Sequence, residues 1–323
     1  MQILIVTPGT RGTPLGNEVT AQRWGRLLRK LGHAVTIATQ FQFKEHSRAD
    51  CLVALHASRS AKSILQFSKH LPDRPIILGM AGTDLSRDLG TPNTVAYQRA
   101  QESMQTADQI VLLEPNARLQ LPRSLRSKAH PIFQSAKTLR PQPKPLVRCF
   151  EVVMAGHLRA EKDPLLAAKA ARSLPGESRI KIHHLGFALT QTFARRAQRE
   201  SANNPRYQWM GGTPHWQCRR RIARSRVLLL TSKSEGGPSV FAEAIMNDVP
   251  ILSTQIPATE GMLEPDYPGF FPVGDDRKLT QLLVRCESDT GFYAELATRT
   301  RALKKRFSST TELRAWKRLL EEL

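Results

Sequence analysis

From Val227 to Thr254 the chain reads VLLLTSKSEGGPSVFAEAIMNDVPILST. An apolar run of strand length enters a loop holding an acid, two glycines and a proline. A helix-like stretch with a second acid follows, and VPILST closes the segment as another apolar run. Strand, glycine loop, helix and strand in that order are the repeating unit of a parallel α/β sheet. Gly236 and Gly237 let the backbone approach a ligand with no side chain in the way. Pro238 suits the first position of the next helix, with Ser239 behind it. A helix start offers unpaired N–H groups and partial positive charge to an anion. Glu235 and Glu243 flank this anion site at Glu-x7-Glu spacing. A carboxylate there needs its own partner, and an ionised carboxylate can accept two hydrogen bonds from a vicinal diol. Phosphate on the N–H groups with diols to either side describes a nucleotide sugar. Taken alone, Glu243 reads first as a residue on a wet helix face.

The same alternation extends in both directions. QILIVTPGTRGTPLGNEVTAQRWGRLLRKLGHAVTIATQ is strand, glycine-rich loop, helix, turn and strand, with Val19, Trp24, Leu27, Leu28 and Leu31 near helical period and Gly32 as the stop. CLVALHA, RPIILGMAGTD and DQIVLLE are further strands, separated by the helices SAKSILQFSKHL and TVAYQRAQESMQTA. KTLRPQPKPLVRCF, rich in proline and basic residues, is the linker candidate. Beyond it EVVMAGHL, RIKIHHLG, YQWMGG and RVLLLTS alternate with the helices DPLLAAKAARSL, ALTQTFARRAQRESA and WQCRRRIARS. The expected fold is α/β with two Rossmann-like domains, 1–143 and 144–308. The last stretch, 309–323, is an amphipathic helix with Leu313, Trp316, Leu319 and Leu320 on one side, expected to return to the N-terminal domain. Open parallel sheets bind ligands at the carboxyl ends of their strands, so two such domains imply a central cleft.

The chain has 323 residues, enough for two cores, and 40% hydrophobic with 24% charged residues is ordinary for a globular protein. Its apolar runs are far shorter than the about 20 residues that cross a bilayer. MQILIV has no basic region or cleavage pattern, so it reads as a buried strand rather than a leader. Cys51, Cys149, Cys218 and Cys286 are scattered with no zinc spacing, as reduced cytoplasmic thiols are. The formal charge of +20 raises nucleic acid as a ligand. The basic clusters are dispersed at helical spacing, and aromatics, at 6%, do not interleave with them, which argues against a stacking platform. A basic surface around a site for small anions fits better, with neither nucleic acid nor a stably bound membrane as partner.

GHLRAEKDP, Gly156 to Pro164, follows the first strand of the second half. Arg159 and Lys162 enter its loop together, as two cations would to meet a diphosphate. Asp163 and Pro164 read as the N-cap and first residue of a helix.

Two α/β domains, this basic pair and the Glu-x7-Glu segment resemble the GT-B retaining glycosyltransferases of the glycogen-synthase-like group. YQWMGG before a helix and the acidic PATEG turn add to the likeness. The resemblance implies that Arg159 and Lys162 hold the donor diphosphate, that Glu235 contacts the donor sugar, and that Glu243 holds the ribose. Gly236, Gly237, Pro238 and Ser239 would complete the donor site. No metal and no cofactor are implied, and the region has no DxD-like motif.

A closer resemblance covers nearly the whole chain. GNEVTAQRW, LVALHASRSA, AGTDLSRDL, HLRAEKDP, NPRYQWMG, EGG with EA, DYPGFFPVGD and AWKRLLEEL are similar to the SenB family of selenosugar synthases in selenoneine biosynthesis. The chain departs from the family pattern at PSVF, where a smaller, more polar stretch is usual. The resemblance implies transfer of a sugar from a UDP-sugar, such as UDP-N-acetylglucosamine, to selenophosphate, with loss of UDP and phosphate. The acceptor, a small anion, would then meet cations and N–H groups of the N-terminal domain. Candidates at its strand ends are Arg11, Gly16 and Asn17, then His56 and Arg59, then Thr83, Asp84 and Arg87, with Gln134 and Ser135 near the linker. Selenium is nucleophilic enough that positioning and leaving-group stabilisation carry catalysis, with His56 orienting the acceptor. Two other readings remain open on the residues alone: a glycosyltransferase with a sugar, lipid or thiol acceptor, and a basic nucleic-acid-binding protein.

Overall fold

The computed structural model describes residues 1–9, 16–80, 82 and 84–323, with Ser86 by its backbone alone. The chain forms two compact units. The first is Met1–Phe133 with Glu235–Gly237 and Thr310–Leu323, and the second is Gln134–Ser234 with Pro238–Ser309.

In the first unit, β1 (Gln2–Val6), α1 (Gly16–Lys30), β2 (Ala34–Ala38), α2 (Phe43–His46), β3 (Cys51–Leu55) and α3 (Ala57–His70) come first. They are followed by β4 (Ile76–Met80), a π-helical turn (Asp84–Asp88), α4 (Val95–Thr106), β5 (Gln109–Leu112) and β6 (Ala129–Pro131). Among the described residues the strands make a parallel sheet in the order β2-β1-β3-β4-β5-β6. Helices cover both faces, so the inner strands are apolar throughout rather than alternating. The two-residue period shows in where the side chains go. Leu4, Leu52, Ala54, Leu78 and Ile110 pack with Ile64 and Phe67 of α3 and Met104 of α4. Ile3, Ile5, Val53, Ile77 and Val111 pack with Trp24 and Leu28 of α1. Val19, counted above among the apolar positions of α1, is instead 41% exposed.

In the second unit, residues 134–149 are irregular and lead to β7 (Phe150–Ala155). α5 (Leu166–Arg172), β8 (Ile180–Leu185), α6 (Gln191–Asn203), β9 (Tyr207–Trp209), α7 (His215–Arg224) and β10 (Val227–Leu230) follow. The unit continues with α8 (Ser239–Met246), β11 (Ile251–Thr254), α9 (Pro257–Leu263), β12 (Phe270–Phe271), α10 (Asp276–Ser288) and α11 (Thr290–Ala302). Its parallel sheet has the order β12-β11-β10-β7-β8-β9. The proline-rich stretch is fastened to the end of α8. Leu139 N donates to Asn247 Oδ1 at 3.0 Å, and Gln142 Nε2 donates to the Asn247 carbonyl at 2.6 Å.

Three local readings change. PATEG is the first part of α9 rather than a turn. Pro257 sits in its first turn, and Thr259 Oγ1, bonded to the Ile256 N–H and the Thr254 carbonyl, stabilises the start. Asp163 does not cap a helix. It adopts a left-handed conformation, φ 41°, closing a 3-10 turn over Ala160–Lys162, and α5 starts later, at Leu166. Pro238 precedes α8 instead of opening it.

The last helix, α12 (Ser309–Glu321), belongs from Thr310 onward to the first unit. Trp316 is fully buried there and meets Trp24 edge-on, with ring centroids 4.8 Å apart. Trp24 itself lies over Gly79 of β4, where a Cβ would come within 2.6 Å of the indole. A glycine in mid-strand thus makes the bay that admits the first tryptophan, and the first admits the second.

Candidate functional site

In the second sheet β10 and β7 are neighbours, paired as Val227↔Val152, Leu228↔Val153 and Leu229↔Met154. The order runs from β7 through β8 to β9 on one side, and from β10 through β11 to β12 on the other. The topology therefore switches between β7 and β10, and ligands of open α/β sheets bind at the carboxyl end of such a point. The loop after β7 carries Arg159 and Lys162. The loop after β10 is SEGGPS.

Backbone groups anchor the basic loop. Gly156 N donates to the Leu185 carbonyl at 2.8 Å, and Lys233 N, just after β10, donates to the Glu161 carbonyl at 2.8 Å. Thr231 Oγ1 reaches the carbonyls of Lys162 and Asp163 at 2.8 and 2.9 Å. His184, fully buried, bridges the Gly156 carbonyl and the Tyr207 hydroxyl at 3.0 and 2.9 Å. Burial pushes its pKa down to about 4, so it stays neutral as a strut. Arg159, in extended conformation, precedes the 3-10 turn that Lys162 ends, so the two cations lie three residues apart in one loop. His157, between them and β7, has its pKa lowered first by burial and then by both of these cations. It accepts at Nδ1 from Phe187 N at 3.2 Å. A trianion or diphosphate near this loop would meet two positive charges and a neutral imidazole.

Gly186, after β8, has φ 150°, and a Cβ on it would lie 2.0 Å from the Gly156 carbonyl oxygen. Gly186→Ala is therefore expected to push the start of the basic loop away, destabilising the fold by about 1–3 kcal/mol and weakening binding of a UDP-sugar. Urea unfolding and titration calorimetry read the two effects. A variant with wild-type stability would show that the loop start can move freely.

α8 places Pro238 and Ser239 at its start and Glu243 a turn further on. Glu243 is not on a wet face: it is 6% exposed. His215 Nε2 donates to its Oε1 at 2.7 Å, while Oε2 is buried with no hydrogen-bond partner. Gly237 has φ 120°, a conformation that L side chains rarely adopt. Glu235, Gly236 and Gly237 group with the first unit, whereas Arg159, Lys162, Pro238, Ser239 and Glu243 belong to the second.

The first sheet switches between β1 and β3. Gly16 and Asn17 open α1 after β1; Arg11 and Thr83 lie outside the described residues. His56 follows β3 with φ 74° and is buried. Burial, then the charge of Arg59, pushes its pKa down to about 4, so it is neutral. Ser58 and Asp88, two residues that sequence reasoning passed over, link His56 to Arg87. Asp88 accepts from the Ser58 hydroxyl, lies 3.9 Å from His56 Nδ1, and accepts from Arg87 Nε at 3.1 Å. Asp84, fully buried, faces the start of α3, with Ala57 N at 3.4 Å. Gln134 and Ser135 group with the second unit. Glu114, after β5, was also missed. It is fully buried, accepts from Asn116 N at 2.6 Å, and burial raises its pKa to about 7. An acid ending the apolar run IVLLEP was its only signal.

Among the described residues, no His, Cys, Asp and Glu side chains gather in threes as a metal site would, and no helix is long and apolar enough to cross a membrane. By structure the chain is similar to Anabaena HepE in complex with UDP and glucose, with a TM-score of 0.79, 15% identity and 100% of both chains covered. It is also similar to sucrose-phosphate synthase from Thermosynechococcus elongatus, at TM-score 0.77 and 14% identity over 99% of this chain and 98% of that one. The lipopolysaccharide outer core galactosyltransferase WaaB gives a TM-score of 0.69 at 16% identity, over 100% and 99% of the two chains. These likenesses show the fold, two parallel sheets with flanking helices, as the GT-B fold. No curated protein sequence matches the chain. Residues 137–302 match the family model described as glycosyl transferases group 1. That match spans just over half of the chain, which belongs to the group 1 glycosyl transferases.

Proposed function

We propose that this group 1 glycosyl transferase moves a sugar, N-acetylglucosamine or a close relative, from its UDP carrier to selenophosphate, as a selenosugar synthase of selenoneine biosynthesis. The observation that carries the donor half is Glu243. A buried carboxylate with one oxygen held and the other without a partner is costly unless a ligand completes it, and ribose hydroxyls would do so. Arg159 and Lys162, on their anchored loop at the switch point, would take the diphosphate. HepE, solved with UDP-glucose, has a similar fold and supports UDP as the carrier. The acceptor half rests on the resemblance to selenosugar synthases, and the cluster of His56, Arg59 and Arg87 offers cations and a neutral imidazole to a small anion.

In the proposed reaction selenium attacks the anomeric carbon, a C–Se bond forms, and the C–O bond to UDP breaks with its electron pair leaving on UDP. Water then cleaves the Se–P bond, giving phosphate and the selenol. Arg159 and Lys162 stabilise the charge on the departing diphosphate, and Glu235 holds the sugar. Neither a cofactor nor a metal takes part. All four cysteines are free, which suits the reducing cytoplasm.

Incubation with UDP-N-acetylglucosamine and selenophosphate is expected to release UDP and phosphate in equal amounts. Mass spectrometry should find a sugar with the isotope pattern of selenium. UDP release with sugar, lipid or thiol acceptors but none with selenophosphate would make the chain a conventional glycosyltransferase. Salt-dependent retention on DNA without UDP binding would remove the donor reading altogether.

A further inference from the structure

Glu243 reaches its held state through a residue of another helix. His215 is the first residue of α7, and its Nε2–H donates to Glu243 Oε1 at 2.7 Å. The contact is unequal. The His215 side chain is 62% exposed, while that of Glu243 is 8% exposed. Nothing in the packing of α7 requires an imidazole at an exposed first position. Cys218, three residues on and on the same side of α7, also feels the carboxylate. Burial and the Glu243 charge push its thiol up to about 12, so it stays a neutral thiol and adds no second negative charge. Asn247 Nδ2 donates to the backbone carbonyl of Glu243 at 2.7 Å, which steadies α8 without touching the carboxylate.

A glutamate carboxylate turns freely about its last bond unless one oxygen is held. Clamping Oε1 leaves Oε2 in one direction, buried and without a partner. A ligand hydroxyl donating to Oε2 would then meet an oxygen already desolvated and already oriented, and binding would lose less to ordering. We infer that His215 is a positioning residue that sets Glu243 for the ribose hydroxyls of the donor nucleotide. The inference rests on the donor reading above. It adds that the preference for a ribose over a deoxyribose is controlled from α7, by a residue that the Glu-x7-Glu pattern does not contain.

The test is titration calorimetry of UDP, 2′-deoxy-UDP and 3′-deoxy-UDP on the full-length protein and its His215→Ala and His215→Gln variants. The wild type is expected to prefer UDP. His215→Ala should bind UDP about tenfold more weakly and lose most of that preference. His215→Gln, whose amide N–H can still donate to Oε1, should recover part of both. A surface role for His215 would leave the ratio of UDP to deoxy-UDP affinities untouched. A wild-type ratio in His215→Ala, beside a wild type that does discriminate, overturns the inference alone. A wild type that binds UDP but does not discriminate overturns the placement of ribose on Glu243, and this inference with it.

Discussion

Arg159→Ala and Lys162→Ala are each expected to lower turnover of the UDP-sugar by about 10²–10³-fold while the protein stays folded. The path of the backbone is set by Gly156 N on the Leu185 carbonyl, Lys233 N on the Glu161 carbonyl, and Thr231 Oγ1 on two carbonyls of the turn. None of these bonds involves the guanidinium or the ammonium group, so truncation removes charge without removing the loop. Charge builds on the diphosphate as the sugar bond breaks, and a cation that meets it then contributes more than one that only holds the ground state. kcat should therefore fall more than KM rises. Arg159→Lys should recover only part of the loss, because an ammonium cannot make the paired contacts of a planar guanidinium. Glu235→Gln is expected to act similarly through the sugar. Steady-state kinetics beside thermal unfolding gives the answer, and wild-type rates in Arg159→Ala, Lys162→Ala and Glu235→Gln would refute the placement of the donor.

Trp316→Ala is expected to cost about 3–5 kcal/mol, the range for deleting a large buried aromatic. Trp316 is fully buried, and its ring stands edge-on to Trp24 at 4.8 Å. Trp24 is in turn seated against Gly79, so the pair fills one face of the first sheet with little room to relax. The same helix carries Glu312, buried and 3.3 Å from Arg23 of α1, a pair that would lose its shelter if α12 lifted. Trp316→Phe should retain much of the stability, because the ring-on-ring contact survives. Urea unfolding followed by tryptophan fluorescence reads the change, with near-UV circular dichroism for the packing of the two indoles. A loss below about 1 kcal/mol would mean that the docked helix is dispensable to the first unit.

The strands were the most legible part of the fold. ILIV, CLVAL and VLLL are buried on both faces, so they stand out as unbroken apolar runs between glycine or proline loops. Elements whose start depends on side-chain bonding were harder. α9 needs the Thr259 hydroxyl, and the basic loop needs Asp163 in a left-handed turn with its carbonyl taken by Thr231. Thr231 is too far from Asp163 in sequence for either to reveal the other. α10 and α11 went unassigned, though Asp275 and Asp289 cap them in an ordinary way.

The sequence by itself determined the class of fold and singled out the residues proposed for phosphate and hydroxyl groups. It could do so because strand burial, helix periodicity and the chemistry of Arg159, Lys162, Glu235 and Glu243 are local properties. Only the tertiary structure decided strand order, and with it the switch points between β7 and β10 and between β1 and β3. Only it decided that Glu243 is buried and held by His215, that Ser58 and Asp88 gather His56 with Arg87, and that Gly186 must be a glycine. Those facts depend on which segments the packing within each unit brings side by side, and a carboxylate acquires its surroundings from neighbours that lie far from it along the chain.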